Sequence, residues 1–269
     1  MNRFFTSTTV GLLALGTIFG SGEVASAVSF GTSIDGPDKS LQKLLDDLTV
    51  SGPKIDTVNA QTGFDLFTNT ATGGSVGTFM FEVAGFAPTN KFGIYNQKGE
   101  KVELFGGIND QSDRTTVDFL ANGDIWVTTK GFAPGNAPPL SEKEYKGFGN
   151  VFGFYLETLR GTFYTENSRN PNGSQQAVVY QGNNQTTLQI AGRQPGLFTD
   201  NEFIIAFEDL LRSVPGGSDS DFQDLVVMFE SIKPVSAVAV PEPGIATSLL
   251  AFGLGSAWML KGQRKKLES

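Results

Sequence analysis

Alternation of apolar and polar positions dominates the chain from Thr78 onward. Short runs rich in β-branched and aromatic residues recur: TFMFEV at 78–83, KFGIYN at 91–96, KVELF at 101–105, TTVDFL at 115–120 and DIWVTT at 124–129. A second series follows with VFGFYLE at 151–157, GTFYT at 161–165, QAVVYQ at 176–181, TTLQI at 186–190, EFIIAFED at 202–209 and DLVVMFE at 224–230. Turn signals such as Lys98-Gly99, Asn122-Gly123, Asn172-Gly173 and Pro215-Gly216-Gly217 separate them. This pattern predicts an all-β body, an antiparallel β-sandwich or jelly roll. One short amphipathic helix is expected ahead of the strands: Leu41, Leu44, Leu45 and Leu48 recur at helical spacing, Asp38 or Ser40 can cap them, and Gly52-Pro53 would stop the run. Its leucine face should lie on the sheet as a lid.

The two ends depart from this pattern. Arg3, the apolar run Val10–Phe19 and then Ala25-Ser26-Ala27 have the three regions of a secretory signal peptide, with cleavage expected after Ala27. At the other end an uncharged stretch, residues 244–260, precedes Lys261, Arg264, Lys265 and Lys266. Its length sits at the short limit for a transmembrane helix, with Trp258 at an interfacial position and the basic cluster on the cytoplasmic side. The expected organisation is a signal peptide over 1–27, a body over 28–232, an extended spacer over 233–239 and a C-terminal signal over 240–266. Ala133–Pro139 is the best candidate for a long loop, or for a seam if the body is two small domains.

Composition narrows the chemistry. The chain has 269 residues with no Cys and no His, which excludes disulfides, thiol nucleophiles, imidazole bases and any Ser-His-Asp triad. The net charge is −8, and the ends hold five of the 20 basic residues but only three of the 28 acidic ones, so the body is more acidic still. Nucleic acid is an improbable partner for such a surface, and divalent cations are a natural one. Gly147, Gly149 and Gly153 form no phosphate loop, lacking the Lys-Ser/Thr that follows one. They read as strand-edge flexibility.

The densest polar constellation lies near the end of the body. Glu208 and Asp209 close one strand, and Asp219, Asp221 and Asp224 lead into the next. A hairpin pairing of the two would set up to five carboxylates against one another, and their repulsion calls for a cation or a proton. Oxygen ligands on an irregular acidic loop suit calcium, although the spacing is not that of an EF-hand. A solvated acidic turn is the alternative.

Val240-Pro241-Glu242-Pro243, the hydrophobic span and the basic tail together resemble the PEP-CTERM sorting signal of exported bacterial proteins. The resemblance implies recognition and cleavage by an exosortase, with Pro241, Glu242 and Pro243 as the recognition element. It also implies membrane anchoring through the C-terminal helix before processing, a final place at the cell surface or outside the cell, and hosts that make extracellular polysaccharide. Residues 149–230, with FGFYLET, AVVYQG and IAFEDL…GGSDSDFQDLVV, are similar to domain-of-unknown-function family 4114. That family's closing signature matches at Glu208, Asp209, Asp219, Asp221 and Asp224, with Gln223 where Asn is usual, and members often carry a His that this chain lacks. The resemblance implies a fold and an ion site rather than an activity.

Three functional classes follow. The first is an exported, non-catalytic, calcium-stabilised surface or biofilm-matrix protein, with extracellular polysaccharide as a partner. A carbohydrate-binding module using Trp126, Tyr95, Tyr155 and Tyr164 as stacking faces is the second. The third is a glycosidase built on a carboxylate pair such as Glu157 and Glu208.

Overall fold

The computed structural model describes residues 28–31, 35–84, 87–106, 113–130, 141–213 and 217–235. The expected signal peptide, the 133–139 loop, the spacer beyond residue 235 and the whole C-terminal sorting signal with its 244–260 span lie outside the described residues. Among the described residues no helix is long and apolar enough to cross a membrane.

The protein is mostly β, and every strand pairing is antiparallel among the described residues. Numbered in chain order, the largest sheet runs β2 (Gln61–Thr62), β12 (Ala177–Gln181), β15 (Glu202–Phe207), β16 (Leu225–Glu230), β4 (Ser75–Phe81), β7 (Arg114–Phe119), β8 (Ile125–Lys130), β9 (Ser141–Tyr145). A second sheet runs β17 (Ile232–Pro234), β3 (Phe67–Asn69), β10 (Val151–Thr158), β5 (Lys91–Asn96), β6 (Lys101–Gly106). β11 (Gly161–Tyr164) also pairs with β10, so β3 takes the start of β10 and β11 its end. A small third sheet joins β1 (Thr49–Ser51), β13 (Thr187–Leu188) and β14 (Gly196–Leu197).

The two large sheets share one core, in the manner of a sandwich. Phe154 of β10 meets Phe229 of β16 at 5.1 Å between ring centroids, and Phe67 of β3 meets Phe203 of β15 at the same distance. Phe92, Phe105, Phe152 and Phe207 extend this aromatic layer. Offset and edge-on rings add to the hydrophobic gain of burying so many phenylalanines. A second cluster covers the other face of the large sheet. There Val178, Tyr180, Ile204 and Val226 pack beneath Leu41, Leu45, Ile55, Leu188, Ile190 and Phe198.

The helix α1 (Leu41–Leu48) belongs to that cover, as its leucine spacing predicts. Ser40 caps it, its hydroxyl accepting from the Lys43 N–H at 3.3 Å. Asp38 instead sits in a single 3₁₀ turn, Pro37–Lys39. Gly52-Pro53 does not stop the helix, because the chain passes from Leu48 straight into β1. Thr49 makes that exit, its hydroxyl donating to the Leu45 carbonyl at 2.8 Å.

Three further differences from the expected strands have physical reasons. β9 has the sequence Ser-Glu-Lys-Glu-Tyr and is exposed over its first four residues, with only Tyr145 half-buried against the core, so it carries no apolar alternation; it is a charged edge strand of the kind that blocks edge-to-edge pairing. The 186–190 run forms only the two-residue β13. Gly153 is not a flexible edge but lies inside β10, where an added Cβ would come within 2.4 Å of the Tyr95 hydroxyl oxygen.

Candidate metal centre

Strands β15 and β16 form a hairpin in which Phe207 faces Leu225. That register places Glu208 and Asp209, just beyond β15, opposite Asp224, just before β16. The Asp209 N–H donates to Asp224 Oδ2 at 2.8 Å and holds the two arms together. Between them the return segment takes an unusual path, with Ser220 at φ 62° and Phe222 at φ 56°. Left-handed backbone at residues other than glycine is strained and persists only where the surroundings enforce it. Here the Phe222 ring is wholly buried, edge-on to Phe30 at 5.3 Å, with the Arg212 guanidinium 4.6 Å from its centroid.

The N-terminal segment closes the loop from outside. Gly31 donates its N–H to the Ser220 carbonyl at 2.9 Å. A Cβ at Gly31 would lie 1.6 Å from the Asp219 carbonyl oxygen, so no other residue can make this approach without displacing the loop. Asp35 reaches the same place and accepts from Gln223 Nε2 at 3.0 Å.

Two carboxylate groups result. Oxygens of Glu208, Asp221 and Asp224 all lie within 4.8 Å of one another, as do those of Asp35, Asp219 and Asp221. Asp221 belongs to both. The spacing is what oxygens around one calcium ion require, since each stands about 2.3–2.6 Å from the metal. The first group is buried and the second opens to solvent through Asp35. Asp209, one residue from Glu208, belongs to neither; its carboxylate accepts from Asn90 Nδ2 at 3.4 Å. Of the five expected ligands, four are therefore brought together, and Asp35 is added from the other end of the described chain.

Glu208 is 1% exposed, and its Oε2 atom is buried with no hydrogen-bond donor against it among the described residues. A buried carboxylate oxygen in that state costs about 1–3 kcal/mol or more. Burial raises the Glu208 carboxyl above its ordinary range; burial first, and then Glu208 beside it, raises Asp224. Asp209 is also raised by burial, against the hydrogen bond from Asn90. The nearby cation is Arg212, whose Nε donates to Ser220 Oγ at 3.0 Å and whose Nη1 donates to the Gln175 carbonyl at 2.8 Å. Its guanidinium is thus directed at neutral oxygens. The cluster fits a divalent ion, or else a shared proton, and calcium suits it better than magnesium because the ligand set is irregular.

The other residues singled out in the sequence are dispersed. Tyr95 and Tyr155 are buried and offer no stacking face. Tyr164 stands edge-on to Tyr95 at 5.0 Å, while Trp126 on β8 is 38% exposed. Glu157 pairs with Lys101 at 2.5 Å, and that bond lowers its carboxyl, whereas Glu208 lies in the acidic hairpin. The two have different surroundings and different partners.

No protein-family model matches this chain, and neither does any curated protein. One solved structure with some likeness is porphyranase B from Zobellia galactanivorans, 11% identical, aligned over 65% of this chain and 57% of that one, with a TM-score of 0.12. A score that low carries no argument about fold or activity.

Proposed function

We propose that this protein is an exported, non-catalytic component of the cell surface or extracellular matrix whose sandwich-like body is locked by calcium. One observation carries the reading. Glu208, Asp221 and Asp224 converge at the end of the β15–β16 hairpin with a buried carboxylate oxygen that no donor among the described residues satisfies. A structural ion that ties an irregular loop to a sandwich suits a protein that works by persisting outside the cell, where calcium is abundant and weak sites of about 0.1–1 mM are filled. The leader-like start and the resemblance of the C-terminus to an exosortase signal support export, membrane anchoring and sorting by exosortase. The chain has no Cys or His, and Glu157 and Glu208 stand in unlike surroundings, which supports a non-catalytic reading.

Calorimetry of the full chain in detergent tests this, with millimolar calcium against chelator. A site of 0.1 mM affinity in 10 mM calcium adds about 2.7 kcal/mol, a rise of several degrees in melting temperature. Identical melting curves would leave the hairpin as a proton-sharing acidic turn.

A further inference from the structure

A second site lies on another part of the body and is independent of the cation reading. A concave pocket of about 320 Å³ opens where Thr62 of β2, the Gly63-Phe64-Asp65 connection and Gln175, just before β12, meet the turn that follows β11. Phe64 stands at its rim, 36% exposed, with its ring edge-on to the buried Phe203 at 6.3 Å. A phenylalanine held by the core yet open to water keeps its orientation while leaving apolar surface uncovered.

The polar groups around it are a carboxylate, amides and hydroxyls. Asp65, Asn167 and Ser168 line the pocket together with the Gln175 amide and the Thr62 hydroxyl. The Thr62 hydroxyl and the Gln175 Nε2 are used locally, donating to the Val179 and Ala177 carbonyls at 3.2 Å each. The Asp65 carboxylate, the Asn167 amide and the Ser168 hydroxyl make no hydrogen bond to other described residues, so their capacity is left for a ligand. Thr165 fixes the floor, its hydroxyl donating to the Asp65 carbonyl at 2.9 Å and locking the 63–65 connection to the β11 turn.

Among the described residues no lysine or arginine lines this pocket, and its carboxylate repels anions, so phosphate and acidic ligands are disfavoured. One carboxylate is too few for a divalent ion held by protein alone. The chemistry that remains has a flat apolar face for Phe64 and several hydroxyls able both to give and to accept hydrogen bonds. Few ligands other than sugars combine the two. We propose that this pocket binds a neutral sugar unit of a polysaccharide, with the ring's apolar face on Phe64 and its hydroxyls on Asp65, Asn167 and Ser168. A pocket of this size takes one or two sugar rings, which suits weak attachment repeated along a polymer.

Affinity electrophoresis of the full chain tests the assignment, run in a detergent without a sugar headgroup and in gels containing a neutral glucan, galactan or mannan, with alginate as the acidic control. Retardation is expected in at least one neutral polymer and not in alginate. Asp65→Asn and the double change Asn167→Ala with Ser168→Ala should each weaken it about tenfold without lowering the melting temperature, since Asn167 and Ser168 are exposed and burial, then the Glu166 charge, raises the Asp65 carboxyl to about 6, so its charge does not stabilise the fold. Phe64→Ala should abolish it, while Trp126→Ala should leave it intact. Migration unaffected by all three neutral polymers, retardation by alginate alone, or retardation that survives both the Asp65 and the Asn167/Ser168 changes would overturn the proposal.

Discussion

Gln223 and Asp35 are joined across almost the whole described chain: the Gln223 amide donates to Asp35 Oδ2 at 3.0 Å over a separation of 188 residues. Through that contact the start of the body becomes part of the acidic hairpin near its end. An ion bound there would therefore sample the integrity of the fold from both ends of the described chain.

Its response to pH has a definite sign. Glu208, Asp209 and Asp224 are raised in the folded protein chiefly by burial, so without metal the native state holds protons that the unfolded chain has released. Stability in chelator should fall as pH climbs above about 4, the ordinary carboxylate range. Calcium bound at the proposed site would replace the protons and remove the penalty. The melting temperature gained on adding calcium should thus be larger at pH 8 than at pH 5; an equal gain at both would place the ion elsewhere.

Asp221, shared by both carboxylate groups, gives the sharpest substitution. Asp221→Asn should remove more than half of the calcium-dependent rise in melting temperature, because one anionic ligand is lost from each group. In chelator the same variant should match or exceed the parent, since one member of two crowded carboxylate groups has gone. Asp47→Asn, on the exposed face of α1 where Asp47 pairs with Lys43, should change neither measurement appreciably.

Gly31→Ala tests the outer closure. The new Cβ would overlap the Asp219 carbonyl, so the loop or the N-terminal segment must move. A loss of about 1–3 kcal/mol is expected in denaturant titration, together with weaker calcium binding. Both effects should appear in the one variant.

The shared core sets the larger scale. Phe154 packs against Phe67, Phe92, Phe152 and Phe229, and Phe154→Ala should cost about 3–5 kcal/mol. Trp126→Ala, at a half-exposed position, should cost far less. Urea midpoints of the two variants measure the difference.

The legible parts of this fold are those where burial alternates or repeats along the chain. The leucines of α1 and the apolar runs of β5, β10, β15 and β16 each face a core, so their sequence records it. β9 is exposed from Ser141 to Glu144 and reaches the core only through Tyr145 at its end, which leaves no apolar alternation. The hairpin that gathers Glu208 and Asp224 followed from two adjacent strands with a turn between them. Asp209 was not separable from Glu208 by sequence, because the side chains of neighbouring extended residues point to opposite faces and which face meets Asp221 is set by packing. Asp35 could not be found at all, being brought in by tertiary structure. Phe64 was equally silent: its run does not alternate, and only the fold shows that its ring is held from below by Phe203.

The tie between Asp35 and Gln223 also bears on time. Contacts between distant parts of a chain form late, after most of the loop-closure entropy has been met by the sheets. An ion held there gains little in the folding transition state, and its stabilisation appears mainly as slower unfolding. Calcium should leave the refolding limb of the kinetics nearly fixed and depress the unfolding limb. If the protein is exported as proposed, the ion would then act as a clock against extracellular proteases, lengthening the interval between the openings through which cleavage begins.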